Sequence, residues 1–166
     1  YKRENDSIFS MQLNVPDRDF YSEPRISEDA YQSYLTQFQY DKTDLDIVID
    51  SVSESDEWIR QRVEFNAAYG NERMAAYIFI PKRGVSPYQI VVYYPGSGAI
   101  HTNSSKEMKP HAYIVNSGRA VVYPILKSTY ERRDELISDY PDESVFWKEH
   151  IIMWVKDFMR TIDYLE

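Results

Sequence analysis

Cysteine is absent from the 166 residues, which rules out disulfide stapling, a thiol nucleophile and any zinc site built on thiolates. Histidine is nearly as scarce. His101, His111 and His150 are the only three, with no pair at helical metal-ligand spacing, so no metal is expected. Basic residues are outnumbered, 19 Lys and Arg against 27 Asp and Glu, leaving a net charge of −8. That balance excludes nucleic acid as a partner, because phosphate neutralisation needs a basic face. No apolar run approaches the length of a membrane span, and the first residues are polar and charged, unlike a secretory leader. Only five glycines are present, and they form neither Gly-x-Gly-x-x-Gly nor the phosphate loop Gly-x4-Gly-Lys-Ser/Thr. The His-Arg-Asp and Asp-Phe-Gly signatures of protein kinases are missing too, as is Gly-x-Ser-x-Gly.

What remains is the composition of a globular domain, 43% hydrophobic and 28% charged. Residues 1–40 read as a linker and lead-in helix: Pro16 and Pro24 stand among mixed charges, then Ser27 caps a run with Glu28 and Asp29 in its first turn. Tyr31, Tyr34, Leu35 and Phe38 form that helix's packing stripe. From residue 41 the pattern turns to strands. Leu45–Val52 alternates like an edge strand, while Trp58–Ala67 and Arg73–Ile80 predict a hairpin turning at Tyr69-Gly70-Asn71-Glu72, where Gly and Asn accept positive φ. Tyr88–Tyr94 is apolar without alternation and predicts a strand covered on both faces. Met108–Asn116 predicts a helix closed by Gly118, and Arg119–Leu126 another buried strand. Finally Val145, Trp147, Ile151, Trp154, Val155, Phe158, Ile162 and Leu165 recur at helical spacing, the core stripe of a long helix. No strand follows that helix, although a crossover helix in a βαβ unit leads to one. The fold therefore reads as interrupted.

The strand at Tyr88 opens into Tyr94-Pro95-Gly96-Ser97-Gly98-Ala99, a loop whose small residues let backbone approach a ligand closely. Together with Phe65-Asn66-Ala67-Ala68-Tyr69-Gly70-Asn71-Glu72-Arg73, Thr129-Tyr130-Glu131-Arg132-Arg133-Asp134 and Arg160-Thr161-Ile162-Asp163-Tyr164-Leu165, it resembles the α/β-hydrolase domain at the C-terminal end of some bacterial eukaryotic-like serine/threonine protein kinases. That domain is itself similar to prolyl-oligopeptidase and acetyl-xylan-esterase relatives. The resemblance covers about residues 30–166. It implies an α/β fold: the N-terminal half of an α/β-hydrolase, with a mixed, mostly parallel sheet, an N-terminal antiparallel hairpin and helices on both faces, over residues 41–166. It also implies a serine esterase- or peptidase-like activity on small esters or peptides, by acyl transfer and without a cofactor. The nucleophile turn, the acid and the histidine of the triad are expected beyond Glu166, so the piece alone is expected to be inactive. The remainder of the domain, or self-association, is expected to cover it.

Within the chain, the resemblance assigns one oxyanion donor to the backbone N–H of Ser97, with Gly96 and Gly98 shaping its loop, and Pro95 stands where esterases usually carry histidine. The Ser97 hydroxyl is not read as a nucleophile, since no acid motif completes a set with His101. Arg132 and Arg133 follow a strand's C-terminal end, where α/β proteins bind ligands. Each is read either as a grip for a substrate carboxylate or as a structural partner of Asp134, Glu135 or Asp139. A second reading of the whole, from another class, is a non-catalytic ligand-binding or regulatory module attached to a kinase. Compartment stays open between cytoplasm and the outer side of a membrane-bound kinase.

Overall fold

The structure, a computed structural model, describes residues 19–106 and 108–166. It divides into two units, Tyr1–Ser33 and Tyr34–Glu166. In the first, most of the expected linker lies outside the described residues; those described form an exposed turn in which the Asp19 carboxylate accepts the Tyr21 N–H at 3.0 Å. Helix α1, Glu28–Thr36, crosses the boundary. It starts as its sequence predicts, with the Ser27 hydroxyl accepting the Ala30 N–H at 3.3 Å. None of its residues is buried, so its stripe is not core.

The second unit is a five-stranded sheet in the order β1–β2–β3–β5–β4, built from β1 Val48–Glu54, β2 Trp58–Asn66, β3 Arg73–Pro81, β4 Ile90–Val92 and β5 Ala120–Ile125. The β2–β3 hairpin keeps register over nine pairs, from Trp58↔Pro81 to Asn66↔Arg73. Its turn uses the residues expected, Gly70 at φ +65° and Asn71 at φ +50°. β1 pairs antiparallel with β2 through an irregularity between Ile49 and Ser51. β3 runs antiparallel to β5, and only β4 with β5 is parallel. The sheet is thus mixed, and within the described residues the mostly parallel character expected is confined to that last pair.

Two other expectations need correction. β5 is buried on both faces as expected, every residue of it, and so is the middle of β3 from Met74 to Phe79, but β4 is not. β4 shrinks to three residues at the edge, with Ile90 exposed, because among the described residues only β5 flanks it. Helix α2 spans Ala112–Asn116, shorter than Met108–Asn116. Pro110 explains the loss, since the residue before a proline is driven from helical to extended backbone. Gly118 at φ +84° then closes the helix, as its position foretells.

Helix α3 is Val145–Leu165, 21 residues, and begins where the Ser144 hydroxyl accepts the Trp147 N–H at 3.0 Å. α2 and α3 cover opposite faces of the sheet. On one face Phe65, Met74, Ala76 and Val122 pack with Tyr164 and Leu165 of α3, Phe65 stacking on Tyr164 at 5.2 Å. On the other, Tyr77, Phe79, Val121 and Ile125 pack with Ile114 and Val115 of α2. The expected stripe of α3 is only partly core. Val145 and Ile151 are exposed, whereas the buried residues are Trp147, His150, Asp157, Arg160 and Thr161.

Candidate active site

The site grows out of the end of β4. The Tyr93 N–H reaches the Val122 carbonyl at 2.8 Å, carrying the parallel pairing one residue past the strand, and the chain then turns away from the sheet. Ser97–His101 forms a single 3-10 turn. Its apolar residues go inward: Ala99 and Ile100 are buried, and Ile100 packs with Leu136, Trp147 and Trp154. The polar residues are left outward. Gly96 carbonyl accepts the Ala99 N–H at 3.1 Å, and the Thr102 hydroxyl donates to the Gly98 carbonyl at 3.1 Å. Among the described residues the Ser97 N–H has no protein acceptor.

This turn borders a cleft of about 150 Å³. Tyr94, Ile100, Leu126, Trp147 and Trp154 wall it, the two indoles meeting edge to face at 5.6 Å. Gly96, Ser97, Thr129 and Asp139 supply its polar rim. Gly96 has φ −76°, ordinary extended backbone, and an added Cβ at Gly96 or Gly98 would meet nothing within 4 Å. Loop geometry therefore does not require either glycine. What their lack of a side chain does is leave space in front of the backbone.

One carboxylate holds both ends of the turn. Asp139 accepts the Ser97 hydroxyl at 3.1 Å on one oxygen and faces His101 Nε2 at 3.4 Å with the other. The Ser97 hydroxyl, then His101, keeps the Asp139 carboxyl below its usual range. Sequence reasoning missed Asp139, which lies 42 residues from Ser97. Nothing local marks it. The set is also in the wrong order for nucleophilic catalysis: a serine is activated when imidazole stands between hydroxyl and carboxylate, and here the carboxylate is in the middle.

A second cluster repeats that order in the interior. Asp134 accepts the Ser128 hydroxyl at 2.5 Å and the Leu136 N–H at 2.9 Å, and meets His150 Nε2 at 2.8 Å, while His150 Nδ1 lies 2.8 Å from the Phe146 carbonyl. Ser128 and His150 are buried, so this cluster ties the loop after β5 to α3, and none of its residues lines the cleft.

Arg132 and Arg133 sit elsewhere. Arg132 donates to the buried Asp157 at 2.7 Å, to the Ile125 carbonyl at 2.7 Å and to the Tyr69 hydroxyl at 3.1 Å. Its guanidinium is engaged with the protein's own groups, and its ionic partners are Asp157 and, at 3.5 Å, Glu72, in place of Asp134, Glu135 or Asp139. Burial pushes the Asp157 carboxyl up, against the pull of Arg132 and the Lys127 N–H. Arg133 is exposed and donates to the Asn103 side chain. Neither arginine lines the cleft. His111 caps α2 and packs against Tyr93 at 5.5 Å. Among the described residues no three His, Asp or Glu side chains gather as a metal site, and no helix is long and apolar enough to cross a membrane.

No family model matches the chain, and no curated protein matches it. Solved structures do. One from Bacteroides fragilis NCTC 9343, assigned as an acetyl xylan esterase, superposes with a TM-score of 0.54 at 12% identity, over 80% of this chain and 40% of its own. A glucuronoyl esterase from Solibacter usitatus gives a TM-score of 0.50 at 12% identity, over 93% of this chain and 55% of its own. This chain therefore spans about half the length of these structures or less. Identities so low speak for the fold alone. Joined with the sheet order and a helix on each face, they define the class: a partial α/β-hydrolase-like fold, mixed α/β around a five-stranded sheet.

Proposed function

We propose that this chain is part of a serine-hydrolase domain of esterase or peptidase type, attached to a serine/threonine kinase, in which it supplies the scaffold and one oxyanion donor. The observation that carries the reading is the Ser97 N–H, without an acceptor among the described residues, on the loop after β4 at the rim of an apolar cleft. In α/β-hydrolases one oxyanion donor comes from the loop after this strand and the other follows the nucleophile. The two esterases above are named for ester substrates, which supports a small ester as the group to be bound.

In the reaction, a serine supplied by the rest of the domain attacks the substrate carbonyl carbon, and its proton passes to a histidine. The carbonyl oxygen becomes negative and is met by the Ser97 N–H. Collapse expels the alcohol or amine, which takes the proton back, and water then repeats the sequence to free the acid. Ser97→Pro deletes the donor at the first position of the turn, where proline is tolerated, and Gly96 before it already has the extended backbone that precedes a proline. In a protein carrying the complete domain, kcat should fall on the order of 10²–10³-fold with the circular dichroism unchanged. A folded Pro variant of full activity would sink the assignment. The second reading, a non-catalytic ligand-binding or regulatory module attached to a kinase, keeps the cleft but has no activated serine in the complete domain. Fluorophosphonate decides between them by labelling a serine of the complete domain or failing to.

A further inference from the structure

We infer that Asp139 sets the charge of the ligand the cleft accepts, favouring a cationic or neutral apolar group and rejecting one that carries a carboxylate. The inference rests on the cleft being the substrate site. Its walls, Tyr94, Ile100, Leu126, Trp147 and Trp154, offer apolar and aromatic surface, and Asp139 is the one ionic side chain among the lining residues. Cations that the sequence places nearby are withdrawn: Arg132 is held by Asp157, Arg133 by Asn103, and Lys127 by Glu72 at 2.8 Å. His101 remains, at 3.4 Å, half exposed on the outer side of the carboxylate. The Ser97 hydroxyl and His101 each engage one oxygen of Asp139, which places its carboxylate at the rim. A tryptophan face attracts organic cations through the ring quadrupole, adding to the same preference.

The side chain of Asp139 is 31% exposed, so water screens it and the Coulomb term is modest. A discrimination of about tenfold is the scale to expect between a neutral and an anionic ligand of equal shape. Hexylammonium, hexanol and hexanoate provide that comparison, with quenching of Trp147 and Trp154 fluorescence as the readout. Titrations near pH 8 at low ionic strength keep hexylammonium and hexanoate charged and the screening small. The expected order of affinity is hexylammonium, then hexanol, then hexanoate, with hexanoate about tenfold below hexanol. Asp139→Asn should bring hexanol and hexanoate within about twofold, Asp139→Lys should invert their order, and Trp154→Phe should reduce the signal. Equal binding of the two by the complete domain without substitution overturns the inference. So does a gap that survives in Asp139→Asn, or failure of all three probes to bind. None of these readings needs catalysis, so an inactive complete domain would remove the acyl-transfer reading and leave the binding order to be judged by itself.

Discussion

At position 96 an alanine methyl would find open space and a backbone already in a conformation any residue adopts. Gly84 is the opposite case. Its φ is +128°, and a Cβ there would lie 3.1 Å from the Gly118 carbonyl oxygen, across the approach of two loops. Urea unfolding should separate them: Gly96→Ala should shift stability by less than about 0.5 kcal/mol, and Gly84→Ala should lower it by at least about 1–3 kcal/mol. The methyl at 96 stands instead in the cleft, so in the complete domain it should raise KM. Equal losses of stability would mean that glycine at 96 serves the fold after all.

Helix α3 shows how far the sequence was legible at the level of an element, and why it stopped. The spacing of apolar residues located the helix, because any amphipathic segment must present one face to a core. It did not identify the buried His150, Asp157 and Arg160, because such polar groups become buried only when partners from elsewhere satisfy them. Those partners, Asp134, Arg132, Tyr69 and the Asn66 carbonyl, come from other parts of the chain, several of them in the Phe65–Arg73 and Thr129–Asp134 phrases that carried the resemblance. The same limit hid Asp139 from the candidate site while the Pro95–Gly98 loop, a local feature, was visible. The Asp134 latch also gives α3 an acid sensitivity. Burial alone would raise the Asp134 carboxyl, but the Ser128 hydroxyl, the Leu136 N–H and His150 hold it below its usual value. A depressed carboxyl stabilises the fold above the unfolded pKa, about 3.9, and that contribution disappears as pH falls through the lower folded value. Asp134→Asn should therefore flatten the fall of Tm below about pH 4. A variant whose Tm falls as steeply as the parent's would show that other carboxylates carry it.

Across the whole molecule, β4 has a neighbour on one side only among the described residues, and beside it Tyr93 and Tyr94 are exposed, with Phe146, Ile151 and Met159 exposed on α3. An unpaired strand edge beside apolar surface invites pairing with another chain. Residues 1–166 alone should self-associate at micromolar concentration in sedimentation; a monodisperse, cooperatively melting monomer would contradict this. Arg160 acts at the same scale from within. Its guanidinium donates to the Asn66 carbonyl at 2.9 Å, the Thr43 carbonyl at 2.6 Å and the Asp44 carbonyl at 3.1 Å, contacts 94, 117 and 116 residues apart in sequence. None of them exists until hairpin, lead-in segment and α3 have met. We expect a contact that must wait for three distant pieces to be absent from the transition state and so to act as a lock on the way out. In a chevron experiment on the complete domain, Arg160→Lys should leave the refolding arm in place and raise the unfolding arm, shortening the lifetime of the native state without changing how fast it is reached.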